Sequence, residues 1–556
     1  MAIAFRSLAE LCQNGRIAMS TDNDPGYARD FDRQVRENQA RLSANLPGQF
    51  DFIVCGAGSS GSVVARRLAE DPACSVLLVE AGGGDEDETV LDPAQWPANL
   101  GSERDWGFQA ERNPHLDGRA LSMSMGKGLG GGSSINVMVW AHGHRSDWDH
   151  YAEVSGDVGW SHHGVQRIYR QIENWQGVPD PVRRGSSGPV WVQPAADPSP
   201  LAGAMLNAAG ELGIARFDSP NGKMMEGQGG AAFTDMLVRN GRRESLYRAF
   251  LHPWMDRPNL TVLTDTLVRR ILFTGNRATS VEIERDGEVR AIGVAHEIIL
   301  SAGAINTPKL LMLSGIGDRA ELSRHGIPLV SHVPGVGKNF QDHVAFCCTW
   351  ELKRPLAPRN SGSEATLYWK SRAELDAPDL LFCQVEFPVP SERTALLGVP
   401  EHGWTMFGGL ARPKSRGEVR LAATDLRANP IVDANMLSDP ADVEAARACV
   451  TLSRELGAAA AFRPFVKREA IPGQDMPTDF RFIRDSAVTY WHQSGTARMG
   501  RDDMAVVDGS LKVKEIEGLR IADASIFPRV PTGNTQAPCA VVGERAAGFI
   551  RAAHCL

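Results

Sequence analysis

The chain has 556 residues and a mass of 60.2 kDa, too long for one simple core, so two domains or one large domain with an insertion are expected. A hydrophobic fraction of 42% with 23% charged residues suits a globular protein in water, and a net charge of -8 gives no bulk attraction to nucleic acid or an anionic membrane. Nine cysteines without a CxxC pair predict neither a disulfide framework nor a zinc site, and Cys347-Cys348 read as packed thiols. No apolar run reaches the roughly 18 residues of a membrane span, and a reducing cytoplasm is the expected location.

Residues 1–49 read as an extension ahead of the first folded unit. The opening stretch MAIAFRSLAELCQNGR has a charge at Arg6 after only a short apolar run, which makes a poor secretory signal. Ser20–Gly26 reads as a loop, and the charged stretch Arg29–Leu46 as a surface helix that either docks on the body or meets a partner subunit.

Four apolar residues, Phe52 to Cys55, predict a buried strand, and Gly56-Ala57-Gly58-Ser59-Ser60-Gly61 turns it into a helix. Gly56 permits the tight turn, Gly58 admits a pyrophosphate close to the backbone, and Gly61 lets the helix sit on the strand. The unpaired N–H groups and positive dipole end of that helix suit the pyrophosphate. A second strand, Ser75–Val79, ends at Glu80, placed for a ribose 2′-hydroxyl, and Ala81 follows. Strand, turn, helix, strand and acid in this order predict a dinucleotide site, although GxGxxG suits NAD as well as a flavin dinucleotide. The acidic stretch Ala81–Glu88 reads as a solvated loop.

Next comes a dense glycine run in Met125–Asp149, with Gly126, Gly128, Gly130, Gly131 and Gly132 followed by Ser133, Ser134 and Asn136. Such a run bares backbone N–H groups to a flat or anionic ligand, and Val137–Trp140 anchors it in a core. His142-Gly143-His144 has the look of a metal pair, but without an evident third ligand a structural role is expected.

Met125–Asp149 resembles the first signature of the glucose–methanol–choline (GMC) family of flavoprotein oxidoreductases, and Gly303–Gly317 (GAINTPKLLMLSGIG) resembles the second. With the GxGxxG turn and the C-terminal motifs, the resemblance covers the chain from about Phe52 to its end. It implies an α/β plus α+β fold: a Rossmann-like FAD-binding domain (50–155, 256–343 and 486–556) with a discontinuous substrate domain built on an antiparallel sheet (156–255 and 344–485). Residues 1–49 lie outside it.

Helices are expected at Val165–Gln176, Pro200–Leu212 and Pro440–Leu456, the last capped by Asp439, and a strand at Pro189–Val192. Asn259–Leu263 and Leu267–Ile271 read as strands of the nucleotide domain, Thr279–Leu300 alternates as antiparallel strands do, and Ile298–Ala304 ends in small residues that suit close passage of a cofactor. Strands at Asp379–Phe387, Thr405–Ala411 and Gly417–Ala422 should form an antiparallel sheet roofing the flavin. Phe382, Gln384, Glu386 and Phe407 suit one face, inward or outward being open. His343, in the segment Gly335–His343, is expected to be structural.

The resemblance puts the chemistry near the C-terminus. Tyr490-Trp491-His492-Gln493-Ser494-Gly495-Thr496 precedes a strand ending at Asp523-Ala524, and Val530–Pro538 opens a helix to about Ala553 whose positive end would face the flavin pyrimidine. His492 matches the family's base, and imidazole is suited to taking an alcohol proton. Asn534 matches the second catalytic position, where a neutral amide can hold the substrate oxygen. The residues implied to hold FAD are Gly56, Gly58, Ser59, Ser60, Gly61, Glu80, Ala81, Gly126, Gly131, Gly132, Ser133, Asn136, Val268, Ala302, Gly303, Trp491, Asp523, Ala524, Asn534 and Thr535. Ile135 stands where some members carry the histidine that bonds FAD covalently, which implies noncovalent FAD.

The implied activity is oxidation of a primary alcohol, in an aromatic series, to the aldehyde, with oxygen or another electron acceptor as partner and a homo-oligomer left open. Around His492 and Asn534 the motifs look closest to bacterial oxidases of the hydroxymethylfurfural oxidase and aryl-alcohol oxidase type, and less like choline enzymes, which carry His-Pro at the base motif. A hydroxynitrile lyase, a choline or polyol dehydrogenase and a pyridine-nucleotide enzyme are the alternatives.

Overall fold

A computed structural model describes residues 25–556. The opening stretch and most of the Ser20–Gly26 loop lie outside the described residues, and Pro25 and Gly26 already belong to a helix, Pro25–Ala44. This helix docks on the body. The buried Gln39 side chain donates to the carbonyls of Met255 (2.7 Å) and Leu260 (2.9 Å) and accepts the Val262 N–H (2.8 Å), which covers the edge strand Leu260–Leu263.

Two seven-stranded sheets organise the rest. In the first, Gln49–Cys55 lies parallel between Val76–Val79 and Glu288–Leu300, with Leu260–Leu263 parallel at the outer edge. Parallel strands buried on both faces read as continuous apolar runs, as FIVC and VLLV do here. Glu288–Leu300 is shared. Its first half pairs antiparallel with Arg277–Arg285, which in turn pairs with Thr266–Thr274, while Ile298–Leu300 pairs parallel with Leu519–Ile521. The helices Ser59–Ala69, Gly303–Leu313 and Gln536–His554 all begin beside the carboxyl ends of these parallel strands. This is where an open α/β sheet binds its ligand.

The second sheet is antiparallel, in the order Val466–Ile471, Val344–Leu352, Gly403–Leu410, Leu380–Val385, Ala365–Trp369, Gly230–Phe233, with Ala487–Thr489 also paired to Val344–Leu352. The chain therefore leaves this sheet immediately before His492. Gly417–Arg420 is not part of it, contrary to expectation, and instead forms a three-stranded sheet with Lys338–Phe340 and Ile431–Asp433. The chain turns away after Ala411 because the buried Asp442 carboxylate takes the N–H groups of Lys414 and Ser415, each at 2.8 Å.

The expected helices lie at His162–Ile172, Pro200–Glu211 (capped by Ser199) and Pro440–Ala458 (capped by Asp439), and the expected strand at Val190–Pro194. His142 stacks on Tyr169 at 3.8 Å between centroids and hydrogen-bonds Glu173 at 2.6 Å, while His144 caps the helix Arg145–Ser155. Both are structural. No helix among the described residues is long and apolar enough to cross a membrane.

Candidate active site

A cavity of about 330 Å³ runs between the two sheets. Of the twenty residues expected to hold FAD, nineteen line it, from Gly56, Glu80 and Val268 at one end to Trp491, Asn534 and Thr535 at the other; His492 also lines it. Gly61 does not. A Cβ there would stand 1.9 Å from the Gly56 carbonyl oxygen, so its part is to let the helix Ser59–Ala69 sit on the first turn. Gly58 differs: a Cβ added to it would meet nothing within 4 Å, and the same holds for Gly132. The two line the cavity and form a bare backbone cradle, shaped for a ligand rather than for side chains.

Glu80 is buried, and its carboxylate accepts N–H groups from Ala57 (2.8 Å), Gly82 (3.0 Å) and Gly128 (3.0 Å). It thereby ties the first turn to the glycine run, with lone pairs left over for a hydroxyl in the cavity. Burial pushes its pKa up, against the pull of these amides. Asp523 acts in the same way at the middle of the cavity, accepting from Gly303 N, Thr307 Oγ1 and Ser525 N at 2.9, 2.6 and 2.8 Å. Lys309, which sequence reasoning passed over, also lines the cavity; it donates to the carbonyls of Leu426 and Ala428, and burial lowers its pKa to about 8.

The catalytic candidates meet at the opposite end. His492 Nε2 lies 3.2 Å from Asn534 Nδ2, and its Nδ1 lies 2.8 Å from His343 Nδ1. His343, expected to be a hydrogen-bonded structural residue, is fully buried, and the group it hydrogen-bonds is the candidate base. Burial holds the His492 imidazole well below its usual pKa, with His343 adding to the effect, and lowers His343 to about 4. Both rings are therefore neutral at pH 7. Asn534 sits on the loop Val530–Thr535 leading into the helix Gln536–His554. That loop is fastened two residues away, where the buried Asp147 carboxylate accepts the Thr532 N–H at 2.8 Å and pairs with Arg412 and Arg529.

The wall opposite comes from the antiparallel sheet. Leu381, Cys383, Val385 and Phe387 line the cavity together with Phe407, the cross-strand partner of Cys383. Phe382, Gln384 and Glu386 alternate with them and point to the other face, so Phe407 does not share theirs. Trp96, Phe387, Phe407 and Trp491 make much of this end aromatic, and Trp491 stacks near Phe407 at 6.3 Å and 15°. The acidic lining residues of the whole cavity are Glu80 and Asp523, both engaged by backbone amides. The Trp491 indole N–H is buried without a partner in the protein, a donor with its acceptor still to come.

A parallel α/β sheet with a glycine cradle at its carboxyl edge, joined to an imidazole–amide pair under an antiparallel roof, defines a dinucleotide-dependent oxidoreductase. The chain matches the GMC oxidoreductase models over residues 50–345 and 413–543, and it belongs to that family of FAD-dependent alcohol oxidoreductases. It is 38% identical over 532 residues to the oxygen-dependent choline dehydrogenase of Brucella melitensis, covering 90% of this chain and 95% of that one. Among solved structures it is similar to pyridoxine 4-oxidase from Mesorbium loti (32% identity, TM-score 0.86, 91% of this chain and 99% of that one). A formate oxidase superposes with a TM-score of 0.82 at 26% identity, covering 91% of this chain and 98% of that one. The glycine cradle, the three helix N-termini beside it and the carboxylates of Glu80 and Asp523 fit FAD.

Proposed function

We propose that the protein oxidises a neutral primary alcohol with a flat, apolar body, in an aromatic series, to its aldehyde. FAD would be held noncovalently, since Ile135 on the cavity wall offers no nucleophile, and would supply the two-electron acceptor for the hydride, with oxygen or another electron acceptor as the second substrate. His492 Nε2 takes the hydroxyl proton. The Asn534 amide donates to the substrate oxygen as negative charge develops on it, and cannot itself act as a base at neutral pH. A depressed pKa leaves Nε2 unprotonated across the neutral range, so the base is ready before the alcohol arrives. The aromatic end wall stacks the body of the substrate and excludes water.

The pairing of His492 Nε2 with Asn534 Nδ2 at 3.2 Å, at the aromatic end of the cavity, carries this reading. Choline is the second reading, supported by the names of the 38% identical relatives and by aromatic rings that can also face a quaternary ammonium. Against it stands a substrate wall without a free carboxylate. A panel of benzylic alcohols, aliphatic alcohols, polyols and choline separates the two, read in parallel by oxygen consumption and an artificial dye. Benzylic alcohols should show the highest kcat/KM, and a preference for choline would overturn the proposal.

A further inference from the structure

The segment Gly335–His343 was attached to no chemistry by its sequence, yet it runs directly beneath the turn that carries His492. The main chains of Gln341 and Ser494 exchange two hydrogen bonds, at 3.0 and 2.9 Å. Asp342, only 4% exposed, reaches toward the same turn. One carboxylate oxygen accepts the His492 N–H at 2.8 Å, and the other accepts the Thr489 hydroxyl. Thr489 Oγ1 in turn accepts the Trp491 N–H at 2.7 Å. The carboxylate thus engages two successive backbone amides, one directly and one through a hydroxyl.

Trp491 needs such support. Its φ is 59°, in the left-handed region that a bulky side chain rarely adopts, and a residue held there persists only where its surroundings over-determine it. In that conformation consecutive N–H groups converge, and a carboxylate is the natural group to receive them. Trp491 and His492 are thereby presented to the cavity side by side, whereas Asp342 itself does not line it.

We propose that Asp342 is a positioning residue for the alcohol oxidation: with Thr489 it holds the Trp491 and His492 amides, keeps Trp491 left-handed in the cavity wall, and aims the His492 imidazole at the substrate oxygen. The inference rests on the reading of His492 as the base. The titratable side chains around the carboxylate are the neutral imidazoles of His343 and His492, with Tyr490 packed against both, and no cationic side chain among the described residues pairs with it. Burial pushes its pKa up to about 7. Proton uptake near neutrality therefore weakens the acceptor that the turn depends on, and Asp342→Asn fixes the neutral form.

The test uses the FAD-loaded full chain and the variants Asp342→Asn, Thr489→Val, Thr489→Ser and His492→Ala. Asp342→Asn and Thr489→Val should keep their flavin and lose roughly 10- to 100-fold in kcat with KM little changed, as expected for a misaimed base. Thr489→Ser, which restores the hydroxyl, should recover most of the activity. The ionisation near pH 7 in the wild-type kcat/KM profile should vanish in Asp342→Asn. Without any alcohol, amide hydrogen exchange at Trp491 and His492 should quicken in Asp342→Asn and Thr489→Val. Should Asp342→Asn fail to fold, the Thr489→Val and Thr489→Ser pair decides alone. Wild-type kcat and exchange in Thr489→Val, with His492→Ala inactive, would overturn this inference alone. A fully active His492→Ala would overturn the reading beneath it.

Discussion

His343 Nδ1 lies 2.8 Å from His492 Nδ1, with the two imidazole rings perpendicular. One proton serves that contact. Asn534 Nδ2 is a donor and faces His492 Nε2, so Nε2 is the acceptor and the ring proton of His492 sits on Nδ1, donated to His343. The assignment follows from the hydrogen-bond network, and it leaves the cavity-facing nitrogen unprotonated, with the Asn534 amide beside it. A residue 149 positions away thus selects the tautomer of the candidate catalyst.

Replacing His343 with Leu removes the acceptor for the Nδ1 proton and lets the wrong tautomer form. We expect kcat to fall by about 100-fold with FAD retained, and His343→Asn, whose amide oxygen can stand near the Nδ1 position, to restore part of it. Steady-state kinetics on the two purified holoenzymes check this. Equal loss in both variants would mean that ring volume, and not the acceptor, is what matters.

Asn534 is expected to act on the transition state more than on substrate binding. Asn534→Ala should lower kcat by about 10- to 1,000-fold, the range for loss of one oxyanion donor. Asn534→Asp should add a second effect, because a carboxylate 3.2 Å from Nε2 favours the imidazolium. The acid limb of its kcat/KM profile should therefore move to higher pH.

Asp147 ties the Asn534 loop to two arginines and stays ionised down to a pKa of about 2. Its folded-state pKa lies below the usual 3.8, so the stabilisation is present above about pH 4 and is lost as pH falls toward 2. That shift is worth about 2 kcal/mol. Asp147→Asn should flatten the fall of Tm across this window. At neutral pH Asp147→Ala should cost about 1–3 kcal/mol, because it removes the acceptor of the Thr532 N–H and the shared partner of the half-buried Arg412 and Arg529, which keep Ser146 and, for Arg412, Thr532 Oγ1.

The two glycines of the first turn should fail differently. Gly58→Ala has an ordinary φ of -68° and open space for its methyl group, so the apoprotein should keep its Tm while flavin binding weakens. Gly61→Ala drives a methyl group into the Gly56 carbonyl oxygen and should lower the Tm of the apoprotein itself. Calorimetry and flavin titration of both variants check the distinction.

Much of the cofactor half was legible because its logic is local. The glycine spacing around Gly56–Gly61, the acid at Glu80 and the run Gly126–Gly132 lie within short windows where backbone geometry restricts residue choice. His492 and Asn534 were legible through the family motifs around them. The facing of the roof was not. Leu380–Val385 and Gly403–Leu410 are buried on both sides, so no polar alternation separates Leu381, Cys383 and Val385 from Phe382 and Gln384. Nor were Asp342 and His343, whose partners at Thr489 and His492 lie about 150 positions away and leave no local trace.

The most direct test of the central claim is the anaerobic reduction of the bound flavin by benzyl alcohol, followed by rapid mixing in wild type and His492→Ala. The proposed chemistry predicts that the variant keeps its yellow colour and that the bleaching rate falls by about 100-fold or more. Bleaching of the variant at the wild-type rate would show that the alcohol proton leaves by another route and would contradict the assignment of His492 as the base.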